Sequence, residues 1–167
     1  SALKLFQSGG NFSKNIVTDT IKSHKTVQWP DNKQFRENLL ERDLYGVGVC
    51  NFLLTQYDSS LGGDKSPKKG TIEHILPQTM SSYWSTIFSK DDHKKYKDRL
   101  GNLVLLSEEG QNKVSNYDFS TKLREYKNNS IYKSTREFSS IYSEWSPKEI
   151  ESRATIMADW ALTRWQY

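Results

Sequence analysis

The 167 residues carry 24 Lys+Arg against 20 Asp+Glu, a net charge of +4, and a single cysteine. Leu, Ile, Val and Phe make up 37 of them, about 22%, just above the roughly 20% below which chains tend to stay unfolded; 21 aromatic residues add large burial areas. Lone Cys50 excludes a disulfide framework or a thiolate zinc cluster, and the longest apolar stretch, 47–54, falls far short of the roughly 20 residues of a membrane span. A folded, polar domain with a thin core is expected, basic enough to meet a polyanion although its charges interleave. No charged run followed by an apolar stretch opens the chain and no initiator Met stands there, so a fragment of a longer, cytoplasmic protein is the expectation.

The chain reads as three stretches and a loop. In residues 1–57, mostly helical, Asp31 with Gln34 three residues on marks a helix start after Trp29-Pro30, and Phe35, Leu39 and Leu40 give it an apolar stripe. Val47, Phe52, Leu53 and Leu54 predict a second, more buried helix, whose start is blurred by Gly46 and Gly48. Cys50, between Val49 and Phe52, reads as a buried small hydrophobe. Residues 58–70, with Gly62-Gly63 and Pro67, are a loop by composition.

Residues 71–128 change character. Gly70 to Leu76 is a short β-branched run ended by Pro77, and Asn102 to Leu106 after Gly101 reads as a second strand. Trp84, Ile87, Phe88 and Tyr96 predict an inserted, packed helix over about 81–98 between them. Phe119, Leu123 and Tyr126 then recur at helical spacing, so the order is strand, excursion, strand, helix. In 129–167, Ser146-Pro147-Lys148-Glu149 is a capping box with Pro at the first helical position. Ile150, Ala154, Met157 and Ala161 define the apolar face that follows, with Trp160 and Trp165 beside it as packing residues.

Three histidines are available for chemistry. His24 lies in a polar stretch and reads as solvated; His93 sits in a charge run, an exposed helix face. His74 alternates with Ile72 and Leu76 on a strand, follows Glu73 and precedes Pro77. Taken alone, a strand histidine is more often a satisfied structural residue than a catalyst.

Its surroundings point further. Glu73-His74-Ile75-Leu76-Pro77-Gln78, then Gly101-Asn102-Leu103, then Asn112 resembles the His-Asn-Asn form of the HNH, or His-Me finger, nuclease motif. More specifically, the sequence is similar to the C-terminal nuclease domain of GmrSD-type, modification-dependent restriction endonucleases. The similarity runs through EHILPQ, Trp84, LGNLVLL, Asn112, Asn116, Phe119 and Lys122, and on to Trp145, Ile150, Arg153 and Trp160, about residues 40 to 165. It implies an α+β, mostly helical fold: a ββα-metal core with flanking N- and C-terminal helices.

The resemblance also implies roles. A neutral imidazole, with an ordinary pKa near 6.5, suits a general base at physiological pH, and His74 takes that part. One Mg²⁺ or Mn²⁺ would meet the scissile phosphate through few protein oxygens and several waters, with Glu73 and Asn112 as candidate ligands and Asn116 as competitor. Glu73 and His74, adjacent on a strand, should point to opposite faces, so ligation by Glu73 asks for a twist or bulge. Asn102 becomes the residue whose amide holds the backbone leaving the first strand; the plain alternatives are a turn residue for Asn102 and a helix cap for Asn112. Lys68, Lys69, Lys113 and Lys122 are candidate phosphate contacts or simply solvated lysines, within a basic flank that includes Lys65, Lys94, Lys95, Lys97 and Arg99. Glu73 departs from the Asp commonly found before the histidine. The expected partners are DNA, phage DNA above all, and an N-terminal ParB-like, nucleotide-hydrolysing sensor that these residues do not contain. A catalytically silent DNA-binding module and a helical interaction domain are the alternatives.

Overall fold

Asp31 and Gln34 trade hydrogen bonds across the first turn of a helix, Gln34 N donating to Asp31 Oδ1 (2.7 Å) and Asp31 N to Gln34 Oε1 (3.2 Å). This is the box that their spacing predicts. It starts α1 (Asn32–Glu41) in a computed structural model that describes Asp19 and residues 30–63, 70–107, 110 and 114–165. His24, Trp29, Lys65, Lys68, Lys69, Asn112 and Lys113, all singled out by the sequence, lie outside the described residues. The chain divides into two compact units, residues 1–35 and 36–167.

The second unit runs through α2 (Gly48–Ser60), β1 (Thr71–His74), α3 (Ser82–Ser85), α4 (Lys90–Tyr96), a 3₁₀ turn at Leu100–Asn102, β2 (Leu103–Leu106), α5 (Phe119–Asn129), α6 (Lys133–Ile141) and α7 (Pro147–Arg164). Its described residues are thus mostly helical α+β with a two-stranded sheet. Only one face of α2 packs: Cys50, Leu53 and Leu54 are buried, while Val47, Val49 and Phe52 are exposed, so this helix is less buried than its apolar composition predicts. Burial pushes the Cys50 thiol up to about 12, which keeps it protonated and unreactive. The predicted loop starts three residues late, because α2 runs on to Ser60 and its Asp58 is buried. Its Oδ1 accepts from Ser134 N and Oγ, both at 2.7 Å, and so caps the first turn of α6.

β1 and β2 pair antiparallel with Thr71 opposite Leu106 and His74 opposite Leu103. The ladder continues one step past each strand by substitution. Ile75 N donates to Asn102 O (3.0 Å), and Leu76 N then donates to the Asn102 side chain, Oδ1, at 2.7 Å. Pro77, with no N–H to offer, ends the pairing.

The predicted helix over 81–98 is two helices. The chain breaks after α3, and Ser89 restarts it through a capping box with Asp92 (Asp92 N to Ser89 Oγ 3.0 Å; Ser89 N to Asp92 Oδ2 3.2 Å). Trp84, Phe88 and Tyr96 are buried as expected of a packed insertion. Rings compensate for the thin aliphatic core: Phe119 stacks on Trp145 at 5.9 Å, and Phe138 meets both edge-on at 6.2 and 5.0 Å.

Helix α7 closes over the 3₁₀ turn. Ser146 caps it by accepting from Lys148 N (3.3 Å), one residue earlier than a capping box would have it, and Ile150, Ala154, Met157 and Ala161 are buried on the predicted face. Buried Arg153 donates to the carbonyls of Gly101 (2.6 Å), Leu103 (2.9 Å) and Leu100 (3.3 Å). A Cβ at Gly101 would run into the Ile150 carbonyl of α7. Gly101→Ala is therefore expected to cost about 1–3 kcal/mol, a fall in Tm of roughly 3–10 °C by calorimetry.

Candidate active site

His74 ends β1, and its ring is 6% exposed. Its Nε2 lies 3.0 Å from Asp98 Oδ1. Asp98 comes from the turn before the 3₁₀ segment and is itself fixed by its neighbours. Its carbonyl accepts from Leu44 N (2.9 Å) and Tyr45 N (3.3 Å), beside a β-bridge between Asp43 and Arg99, and its carboxylate pairs with Lys97. Burial pulls the Asp98 carboxyl up, but hydrogen bonds from Lys97 and His74 outweigh it and hold Asp98 below its ordinary value. An ionised Asp98 only accepts, so the imidazole proton sits on Nε2 and Nδ1 keeps its lone pair. Burial also lowers the His74 pKa, against the opposing pull of Asp98.

Glu73 goes the other way. Its Oε1 receives the Lys122 ammonium at 2.7 Å, and the same Nζ donates to the His74 carbonyl at 2.6 Å. Lys122 is fully buried. That corrects the reading of Lys122 as a phosphate contact: its charge is spent inside, tying α5 to the end of β1. Burial pushes the Glu73 carboxyl up and the Lys122 ammonium down, each opposed by the other's charge. The Tyr126 hydroxyl is buried beside Glu73 and helps to oppose the upward pull of burial on that carboxyl. The side chains of Glu73 and His74 thus part company as strand alternation demands. No bulge interrupts their pairing with Val104 and Leu103.

Both residues nonetheless border one recess of about 390 Å³, lined also by Tyr45, Gln78, Thr79, Ser115 and Asn116. Tyr45 sets its ring against His74, centroids 4.3 Å apart. Asn116 is exposed at this recess. Asn102 is not in it. Fully buried, its amide accepts from Leu76 N and from Trp145 Nε1 (3.1 Å) and donates to Leu76 O (2.9 Å) and Lys97 O (2.8 Å). Asn102 joins the segment after His74 to the segment that presents Asp98. Among the described residues no group of three or more His, Cys, Asp or Glu gathers as a metal cluster.

A family model for GmrSD restriction endonucleases, C-terminal domain, matches residues 29–160. The chain belongs to this family. No curated protein matches it. As a GmrSD C-terminal domain it is a nuclease domain of the restriction-endonuclease type, a class whose substrate is DNA. No described helix is long and apolar enough to cross a membrane.

Three residues of this GmrSD domain escaped the sequence reading. Asp98 sits in Lys97-Asp98-Arg99 and looks like one more surface charge; only the Asp43–Arg99 bridge and the turn before Leu100 aim it at His74. His93, read as an exposed helix face, is half-buried and bonds the Pro77 carbonyl through Nε2 (2.8 Å), holding the loop after β1. Tyr45 carried no signal beyond the Gly46 that follows it. The basic flank is also less free than its sequence suggests: Lys95 meets Glu151 (3.5 Å), Lys97 meets Asp98 and Arg99 meets Asp43 (3.4 Å).

Proposed function

We propose that this GmrSD domain cleaves DNA phosphodiesters as an HNH-type, His-Me finger nuclease with His74 as general base. The observation that carries the reading is the His74–Asp98 pair: a buried imidazole whose Nε2 is held by a carboxylate at 3.0 Å, at the edge of a polar recess. The order β1, β2, α5, with His74 at the end of β1 and Asn102 just before β2, supports it. His74 Nδ1 takes the proton from the attacking water, and Asp98 stabilises the imidazolium that results. Asn102 and His93 hold the backbone on which His74 and Pro77 sit, so the ring keeps its aim when DNA arrives.

The donors around the recess fit a hard divalent ion. Ser115 and Asn116 bring hydroxyl and amide oxygens to the same recess as one carboxylate, Glu73, which has an oxygen beyond the one that meets Lys122. When bound, Mg²⁺ or Mn²⁺ would neutralise charge growing on the phosphate. Glu73 and Asn116 would hold it, with Asn112 as a further candidate ligand. Asn116→Ala, an exposed position, is expected to weaken Mn²⁺ binding by about 10-fold in calorimetry; unchanged affinity would remove Asn116 as a ligand. In this reading the domain is the effector of a modification-dependent restriction system, acting on phage DNA under a ParB-like sensor region.

The test is conversion of supercoiled plasmid to nicked or linear product with Mg²⁺ or Mn²⁺, stopped by a chelator. Asp98→Asn is expected to slow that conversion by roughly 10–100-fold without lowering Tm appreciably, because an amide fits the same space but lets the imidazole proton move to Nδ1. A rate equal to wild type would show that the carboxylate does not set the tautomer.

A further inference from the structure

Tyr45 is 40% exposed, yet its backbone is fixed: its N–H and that of Leu44 both donate to the Asp98 carbonyl, and Gly46 follows at φ +79° to turn the chain away. The ring stands against His74 at 4.3 Å, tilted by 61°, on the wall of the 390 Å³ recess. On the loop after β1, Gln78 and Thr79 line the same recess and are exposed. That loop is held by the Asn102 bonds to Leu76 and by His93 on Pro77. The backbone that carries these side chains is set in advance for a ligand, so its own ordering costs little on binding.

We infer that this recess receives the base of the nucleotide next to the scissile phosphate, with Tyr45 as its stacking partner. The inference rests on His74 being the reacting base, since that places the phosphate beside the same wall. A ring face, with hydroxyl and carboxamide groups around it, is the combination that takes an unstacked nucleobase: the ring meets the π-face, the polar groups meet its edge. Stacking tolerates every base, so Tyr45 supplies affinity and position, and Gln78 supplies what base preference the cut has.

The test is photo-crosslinking of the full chain to a short duplex in which 5-iodouracil replaces thymine, in a chelator so that no cleavage occurs. The crosslinked peptide is mapped by mass spectrometry. The peptide containing Tyr45 is expected to carry the main adduct. Tyr45→Leu, which keeps an apolar cover over His74, should lose that adduct and bind the duplex on the order of 5- to 100-fold more weakly with unchanged thermal unfolding. Adducts mapping only to other residues, no adduct at all, or Tyr45→Leu binding as tightly as wild type would each overturn the inference. Plasmid cleavage that depends on His74 while Tyr45 takes no adduct would sink the stacking role alone. Cleavage indifferent to His74→Ala would sink the reading beneath it.

Discussion

Lys122→Met is expected to destabilise the domain by about 3–5 kcal/mol, a fall in Tm of roughly 6–20 °C. The Lys122 ammonium is fully buried and has two partners, Glu73 Oε1 at 2.7 Å and the His74 carbonyl at 2.6 Å. Methionine fills much the same space, so packing changes little; what remains is a buried carboxylate with its counter-charge gone. The loss should be pH-dependent with a definite sign. Glu73's folded-state carboxyl already lies above its ordinary value because of burial, and removing Lys122 takes away the charge that opposes this. A carboxyl raised on folding weakens the fold as pH rises from its unfolded pKa through its folded one. The variant's deficit is therefore smallest near pH 4 and grows toward neutrality. Adding Glu73→Leu to Lys122→Met should recover most of the lost Tm, because replacing both members of a buried pair is far cheaper than stranding one. Equal Tm for wild type and Lys122→Met in calorimetry at pH 7 would mean that the pair contributes nothing to stability.

The second large effect is on chemistry. His74→Ala should reduce DNA cleavage by about 10²–10⁴-fold, the usual worth of a positioned general base, and should cost about 1–3 kcal/mol of stability by emptying the buried ring's place beside Asp98, while the ladder, made by backbone, stays. The pH profile carries a sign as well. A base works only when unprotonated, and burial holds the His74 pKa below its ordinary value. The acid limb of the wild-type rate profile should then lie below pH 6.5, the ordinary histidine value. A limb displaced to higher pH would assign the titrating group elsewhere.

How much of this was legible beforehand differs residue by residue. The two strands lie inside the runs that Pro77 and Gly101 bound, β1 stopping at His74 short of Leu76 and β2 starting at Leu103 just after Gly101, and helices start where Asp31 and Ser146 stand, because turn and cap chemistry is local. His74 could be found because it sits between Ile72 and Leu76 with Pro77 behind it. Asp98, Lys122 and Tyr45 were not legible for a common reason: each acquires its role from a partner more than twenty residues away. Lys122 looked like any lysine on an amphipathic helix until Glu73 and the His74 carbonyl took two of its donor protons inside. The excursion from 81 to 98 read as one helix because its buried rings share a helical spacing; the Ser89–Asp92 box breaks it by a polar signal that was present in the sequence. Net charge pointed toward DNA only weakly, and the pairing of Lys95, Lys97 and Arg99 with carboxylates shows why.

In the reading proposed above, His74 is the residue through which this GmrSD domain cuts DNA. It is tested by the initial rate of supercoiled plasmid loss with Mn²⁺ at pH 7.5 for wild type and His74→Ala, side by side at a temperature well below the Tm of either. Cleavage by wild type with a fall of at least about 100-fold in His74→Ala is the expected result. Cleavage at the same rate by both proteins would remove His74 as the general base.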